Sequence, residues 1–353
     1  MMSPRPTSEI REPTHTRHTS LQIVHFVGNL LRIWSVYSMY QYLSDTGASV
    51  LLFIFTCLIP SSLVFLALQK PWKGRSLSNQ QVVPSIINGA ITALYFILWG
   101  KSLKSCGPTR TILMEYSGAV LGVLSGVLYG RKSHLLKKIC GFGAMLISFY
   151  MLSQGWATAR FFPISSKEKN DGTYQPERIL RFHEILLPIF AGILSALKRV
   201  IARRVSLKNQ WKKRLNAITI TSATCFLFPL AMWDIILGSP SESNSRLPFS
   251  SWVFLSYISF GIVLIFYVDS MAEERLHMVF SSPRHLIVSA GSIVVMEIMY
   301  NMDFSLIGFL LCSLILGIGI HEATSVERGK YSMKPSDNII VSLYDDEIPS
   351  LPS

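Results

Sequence analysis

The sequence predicts an all-α polytopic membrane protein with about ten transmembrane helices. Three observations lead there. Half of the 353 residues are apolar and only 15% are charged, against roughly a quarter charged in soluble domains. The mean hydropathy is positive, +0.38. The apolar residues also fall in unbroken blocks of about twenty, enough to cross about 30 Å of hydrocarbon at 1.5 Å per residue. Backbone in lipid must satisfy its own hydrogen bonds, so blocks of this length read as helices.

Taken in order, spans are expected near 20–42, 48–68, 83–100, 108–129, 137–154, 184–199, 215–238, 250–271, 280–300 and 303–321. The first nineteen residues are polar and are expected to form a disordered cytoplasmic tail without a cleaved leader. Residues 20–323 then form a single transmembrane domain, and 324–353 a flexible cytoplasmic tail. Most connectors are short, which makes successive helices antiparallel neighbours. Two are longer and polar, 155–183 and 239–250.

Charge fixes the expected orientation. The net charge of +12 resides in loops, with 22 Lys and Arg on the side of both termini and 8 on the other. The positive-inside rule therefore places both termini in the cytoplasm and removes the case for nucleic-acid binding. The run Arg203, Arg204, Lys208, Lys212, Lys213, Arg214 reads as a topology anchor or as a surface for anionic membrane lipid.

Ionisable residues inside spans cost roughly 2.5–3.5 kcal/mol each on insertion, so each one needs a partner or a cavity. They are Arg32, Glu115, Asp234, Asp269 and Glu297, with Lys198 near a helix end where it can snorkel. Gly107-Pro108 is a helix-start signal, which sets Arg110 in the first turn and Glu115 deeper. Arg110 is then either an anion-holding group beside a helix N-terminus or a surface residue, with Glu115 pairing to a neighbouring helix. Asp269, in FYVDSM, is either a cation or proton site or a structural counter-charge to Arg32 or Arg110. Arg110, Glu115 and Asp269 are the candidate substrate or coupling residues. Gly118, Gly122 and Gly126 repeat at four-residue spacing and allow close helix approach.

Other chemistry is not indicated. No histidine has an aspartate four residues on, and the five cysteines lack metal spacing, so no metal ligand and no cofactor is expected. There is no Walker loop, no GxSxG and no catalytic constellation, so the chain is not read as an enzyme.

The segments LQKPW (68–72), LYFILWGKSLKSCGPTRTILMEYSGAVLGVLSGVLYG (94–130) and FYVDS (266–270) resemble the N-terminal membrane extension of the long secretory-pathway zinc transporters, members of the cation diffusion facilitator family. The resemblance spans roughly 20–325. It implies a Golgi or endoplasmic reticulum membrane, a part in zinc homeostasis, and a hetero-oligomer with a cation diffusion facilitator protein. In that family a zinc-carrying half follows such an extension. The family's ligand motif has no matching positions here, so a non-catalytic or assembly subunit is expected.

The chain also resembles the drug/metabolite transporter superfamily, which includes nucleotide-sugar and triose-phosphate carriers. That resemblance implies ten helices in two five-helix repeats and transport of an organic anion. LKKICGFGAMLISFYM (136–151) and FSLIGFLLCSLILGIG (304–319) form a faint internal echo of such repeats.

Overall fold

The computed structural model describes residues 14–47, 49–73, 77–121, 135–157, 182–207, 212–237, 283–302 and 304–332. These residues are helical apart from short turns, with no strand among them. The helices are α1 (Thr14–Thr46), α2 (Val50–Gln69), α3 (Asn79–Cys106), α4 (Pro108–Met114), α5 (Leu135–Ser153), α6 (Phe182–Leu207), α7 (Lys212–Leu237), α8 (Pro283–Met299) and α9 (Leu306–Ser332). A 3₁₀ segment, Glu115–Gly118, follows α4 directly. The expected span at 250–271 and the second half of that at 108–129 lie outside the described residues, as do Gly122 and Gly126.

Local chemistry explains the boundaries. Ser49 caps α2, its side chain accepting from the Leu52 N–H, and Ser78 forms a capping box with Gln81 at the start of α3. Between α3 and α4 the chain reverses on Gly107 alone, at φ +80°, a conformation a side chain would resist. Pro108 then opens α4 at a position where its missing N–H costs nothing. Four of the described helices outrun their expected spans, α3 reaching Cys106 and α6 reaching Leu207 among them. α1 begins six residues inside the expected polar tail, and α9 runs on to Ser332. Apolar composition ends at the membrane surface, whereas helical hydrogen bonding can continue into water.

Five helices, α2, α3, α5, α6 and α7, are long and apolar enough to cross a membrane. Two helices carry apolar residues on their outer faces and polar ones inside, the reverse of a soluble protein's surface helices. On α1, Ile23, Phe26, Val27 and Trp34 face outward, while His25, Asn29 and Arg32 are buried. On α8, Ile287 and Ile298 are outside, and His285, Ser289 and Glu297 are inside. Apolar surroundings stabilise such an arrangement and water would oppose it. The fold is that of a multi-pass helical membrane protein.

Helix directions follow from contacts. His25 stacks on His285, Asn29 bonds Ser289 and Tyr37 bonds Glu297, a constant offset of 260 residues, so α1 and α8 run parallel. α3 and α7 are also parallel: Thr219 bonds the Ser85 carbonyl, and Gly89 abuts Ser222. α2 runs antiparallel to α7, with Phe55 on Phe228 and the Arg214 guanidinium on the Pro71 carbonyl. α5 runs antiparallel to α9, joined by Ser148 donating to the Cys312 carbonyl at 2.8 Å and by Gly319 against Gly141.

Candidate functional site

Three buried polar clusters lie along the inner faces of α1, α3, α4, α6 and α8. Each is assembled from residues far apart in sequence.

The first is centred on Glu115, which is 4% exposed and begins the 3₁₀ segment. Its Oε1 accepts from Tyr95 Oη of α3 at 3.0 Å and from Ser195 Oγ of α6 at 3.2 Å. The Lys198 ammonium lies over the Tyr95 ring, 4.1 Å from its centre, and Arg32 and Arg199 are within electrostatic reach of the same tyrosine. Buried negative and positive groups thus share this region, which limits the cost of holding either in lipid. Glycines make the packing this close. A Cβ on Gly118 would lie 2.7 Å from the Gly192 carbonyl oxygen, and one on Gly192 would strike Ser117 Oγ and the Glu115 carbonyl. Ser117 Oγ in turn donates to the Ile189 carbonyl at 2.7 Å.

The second cluster joins Tyr116, His285, Ser289 and Asn29. Tyr116 Oη lies 2.5 Å from His285 Nδ1 and donates to Ser289 Oγ at 2.7 Å. Asn29 Nδ2 donates to the same serine at 3.1 Å, and the His25 ring is 5.3 Å from that of His285.

The third cluster surrounds Glu297, which is 5% exposed. Its Oε1 accepts from Tyr37 Oη at 2.6 Å and from Thr109 Oγ1. Tyr37 and Thr109 are themselves 2.9 Å apart, and Ser38 Oγ is 2.7 Å from Tyr300 Oη one residue along α1.

The expected site residues are distributed unevenly over these clusters. Glu115 is at the centre of one. Arg110 stands half-buried in the first turn of α4, five residues before Glu115 and hence about 140° around the helix from it. Its charge reaches Tyr40 and Cys106, and the charge of Glu297 reaches Tyr40 too. The two residues therefore belong to different clusters. Asp269 lies outside the described residues, and so does the side chain of Asp234. Sequence reasoning noted Glu297 only as an in-span charge and passed over Tyr37, Tyr95, Thr109, Tyr116, Ser195 and His285. One signal was available for His285 and for its partners Asn29 and Ser289. Polar residues at 25, 29 and 32, and at 285, 289 and 292, repeat at helical spacing within otherwise apolar stretches.

Among the described residues, no three of His, Cys, Asp and Glu gather as they would around a metal ion. None of the five cysteines is in a disulfide, and Cys106 donates to the Glu184 carbonyl at 3.4 Å as a packed thiol.

No family model matches the sequence. One solved structure, described only as the crystal structure of a protein, is 18% identical to this chain, covers 88% of it and 99% of its own length, and gives a TM-score of 0.48.

Proposed function

We propose that this chain is a ten-helix carrier of the drug/metabolite transporter type, moving a polar organic solute through the centre of two five-helix halves. The observation that carries the reading is the set of buried ionisable groups: Arg32, Glu115 and Glu297 lie inside helices whose outer faces carry large apolar residues. Ionisable groups kept inside a membrane bundle, with polar partners on several helices, are typical of a solute or ion pathway.

The helix pairing supports two halves. If the expected span at 250–271 is counted as the eighth, α8 and α9 become the ninth and tenth helices. The contacts then include first with ninth, fourth with sixth, second with seventh and fifth with tenth, beside third with sixth and third with seventh, whose counterparts in such a swap fall outside the described residues. Advancing every number by five, and wrapping past ten, turns first–ninth into sixth–fourth and returns second–seventh and fifth–tenth to themselves. A crossing at 250–271 also gives α1 and α8 the same direction. The pairs share a local design: Pro108 and Pro283 each open a helix, and Glu115 and Glu297 each accept a hydroxyl from the first helix of a half, Ser195 and Tyr37.

A second reading is an assembly subunit for zinc homeostasis in the early secretory membrane, with both termini cytoplasmic and a cation diffusion facilitator partner. One observation favours it. The segment that carries the sequence resemblance, 94–130, contains Tyr95, Cys106, Thr109 and Glu115, which make the interhelical contacts of the core.

Flux from proteoliposomes containing the full chain separates the two. A carrier takes up nucleotide sugars or phosphorylated metabolites, and Glu115→Gln lowers that uptake by tenfold or more while the protein still folds. An assembly subunit gives zinc flux only when the partner is present. Zinc and organic-anion flux both absent, with and without the partner, would reject both readings.

A further inference from the structure

We infer that Glu297 is a reversible proton-binding site that latches α1, α4 and α8 together at one end of the bundle. The inference deepens the carrier reading by naming the coupling ion, and rests on it only for what the proton drives. Glu297 is as buried as Glu115 but is surrounded differently. Among the described residues its carboxylate is met by hydroxyls, Tyr37 Oη at 2.6 Å and Thr109 Oγ1, and not by a basic side chain. An anion held in an apolar interior with no basic side chain bonded to it is costly, and binding a proton removes that cost.

Among the described residues the groups facing this position are few. α1 contributes Arg32 deeper in the bundle, then Tyr37 and Tyr40, and α4 contributes Arg110, whose positive charge opposes that of Glu297 at Tyr40. His25, Tyr116 and His285 lie about three turns further along, in a separate cluster. The His321–Glu322 pair of α9 is about 20 Å beyond the start of that helix.

The geometry couples charge to packing. As an anion Glu297 accepts two charge-assisted hydrogen bonds at one oxygen, one from α1 and one from α4, and these are roughly twice as strong as neutral ones. Taking up one proton converts the carboxylate to a carboxylic acid and leaves every other group unchanged. The acid has an O–H to donate and is the weaker acceptor, so the three-helix contact loosens. Tyr37 lies in the last third of α1, Glu297 near the end of α8 and Thr109 in the first turn of α4, so the loosening is confined to one end.

The test is labelling of the full chain in liposomes with dicyclohexylcarbodiimide, which couples to protonated carboxyl groups within membranes, read by peptide mass mapping across pH. Glu297 is expected to be modified at low pH, with the adduct lost as pH rises. Tyr37→Phe keeps the ring against Tyr300 but removes a donor to the anion. It should raise the pH of half-labelling by about one to two units. An unlabelled Glu297 at every pH, or an unchanged midpoint in Tyr37→Phe, overturns the site. Glu297→Gln imitates the acid, and spin labels at the ends of α1 and α8 should report its distances as those of the wild type at low pH. Distances equal to the high-pH wild type overturn the latch. Labelling does not depend on solute uptake, so failure of the carrier reading and failure of this one are distinguishable.

Discussion

Replacing Gly118 with alanine places a methyl group where α6 leaves no room. The added Cβ would lie 2.7 Å from the Gly192 carbonyl oxygen and 2.9 Å from Ala196 Cβ. Ordinary contact begins near 3.4 Å, so α6 must retreat by roughly 0.7 Å from the 3₁₀ segment. Neither neighbour can swing aside, because one is backbone and the other is the only side-chain carbon of alanine. Overpacking of this kind costs about 1–3 kcal/mol, which lowers the folded-to-unfolded ratio roughly 5- to 150-fold. The retreat also carries Ser195 away from Glu115, which it now reaches at 3.2 Å. The assay is reversible unfolding in detergent, with Gly143→Ala as the control. Nothing lies within 4 Å of a Cβ at Gly143, and it sits within α5, so its replacement should be neutral or stabilise by up to about 1 kcal/mol. A Gly118→Ala protein as stable as its Gly143→Ala counterpart would refute the close approach of the 3₁₀ segment and α6.

Two further variants probe the core. Tyr95→Phe keeps the ring beneath Lys198 but removes one of two hydroxyl donors to Glu115, and should cost about 1.5–3 kcal/mol in the same unfolding assay; an unchanged midpoint would mean that the Tyr95 hydroxyl does not hold Glu115. Ser148→Ala deletes the bond from α5 to the Cys312 carbonyl of α9 and should cost only about 0.6 kcal/mol, the usual worth of an interhelical hydrogen bond in a membrane; a loss of several kcal/mol would show that packing, and not this bond, had been disturbed.

Composition and pattern by themselves determined the class of this protein. Blocks of apolar residues predict helices wherever the described chain has them, because the backbone in lipid has no other way to satisfy its hydrogen bonds. Gly107-Pro108 announced the break between α3 and α4, because φ +80° and a missing N–H are properties of those two residues wherever they occur. Gly118 announced a close approach because it has no side chain to hold a neighbouring helix off. Which helices meet was decided only by the tertiary structure. Glu115 is legible as a costly buried charge, but its donors come from positions 95 and 195, and no periodicity links those three numbers. Arg110 and Glu115 are neighbours in sequence, yet the helical twist sends them to different clusters. Tyr37, Thr109 and Glu297 converge because α1 and α8 run parallel across 260 residues of intervening chain. A helix needs only its own sequence and its solvent, while a polar cluster needs the crossing of several helices, and packing between them sets that crossing.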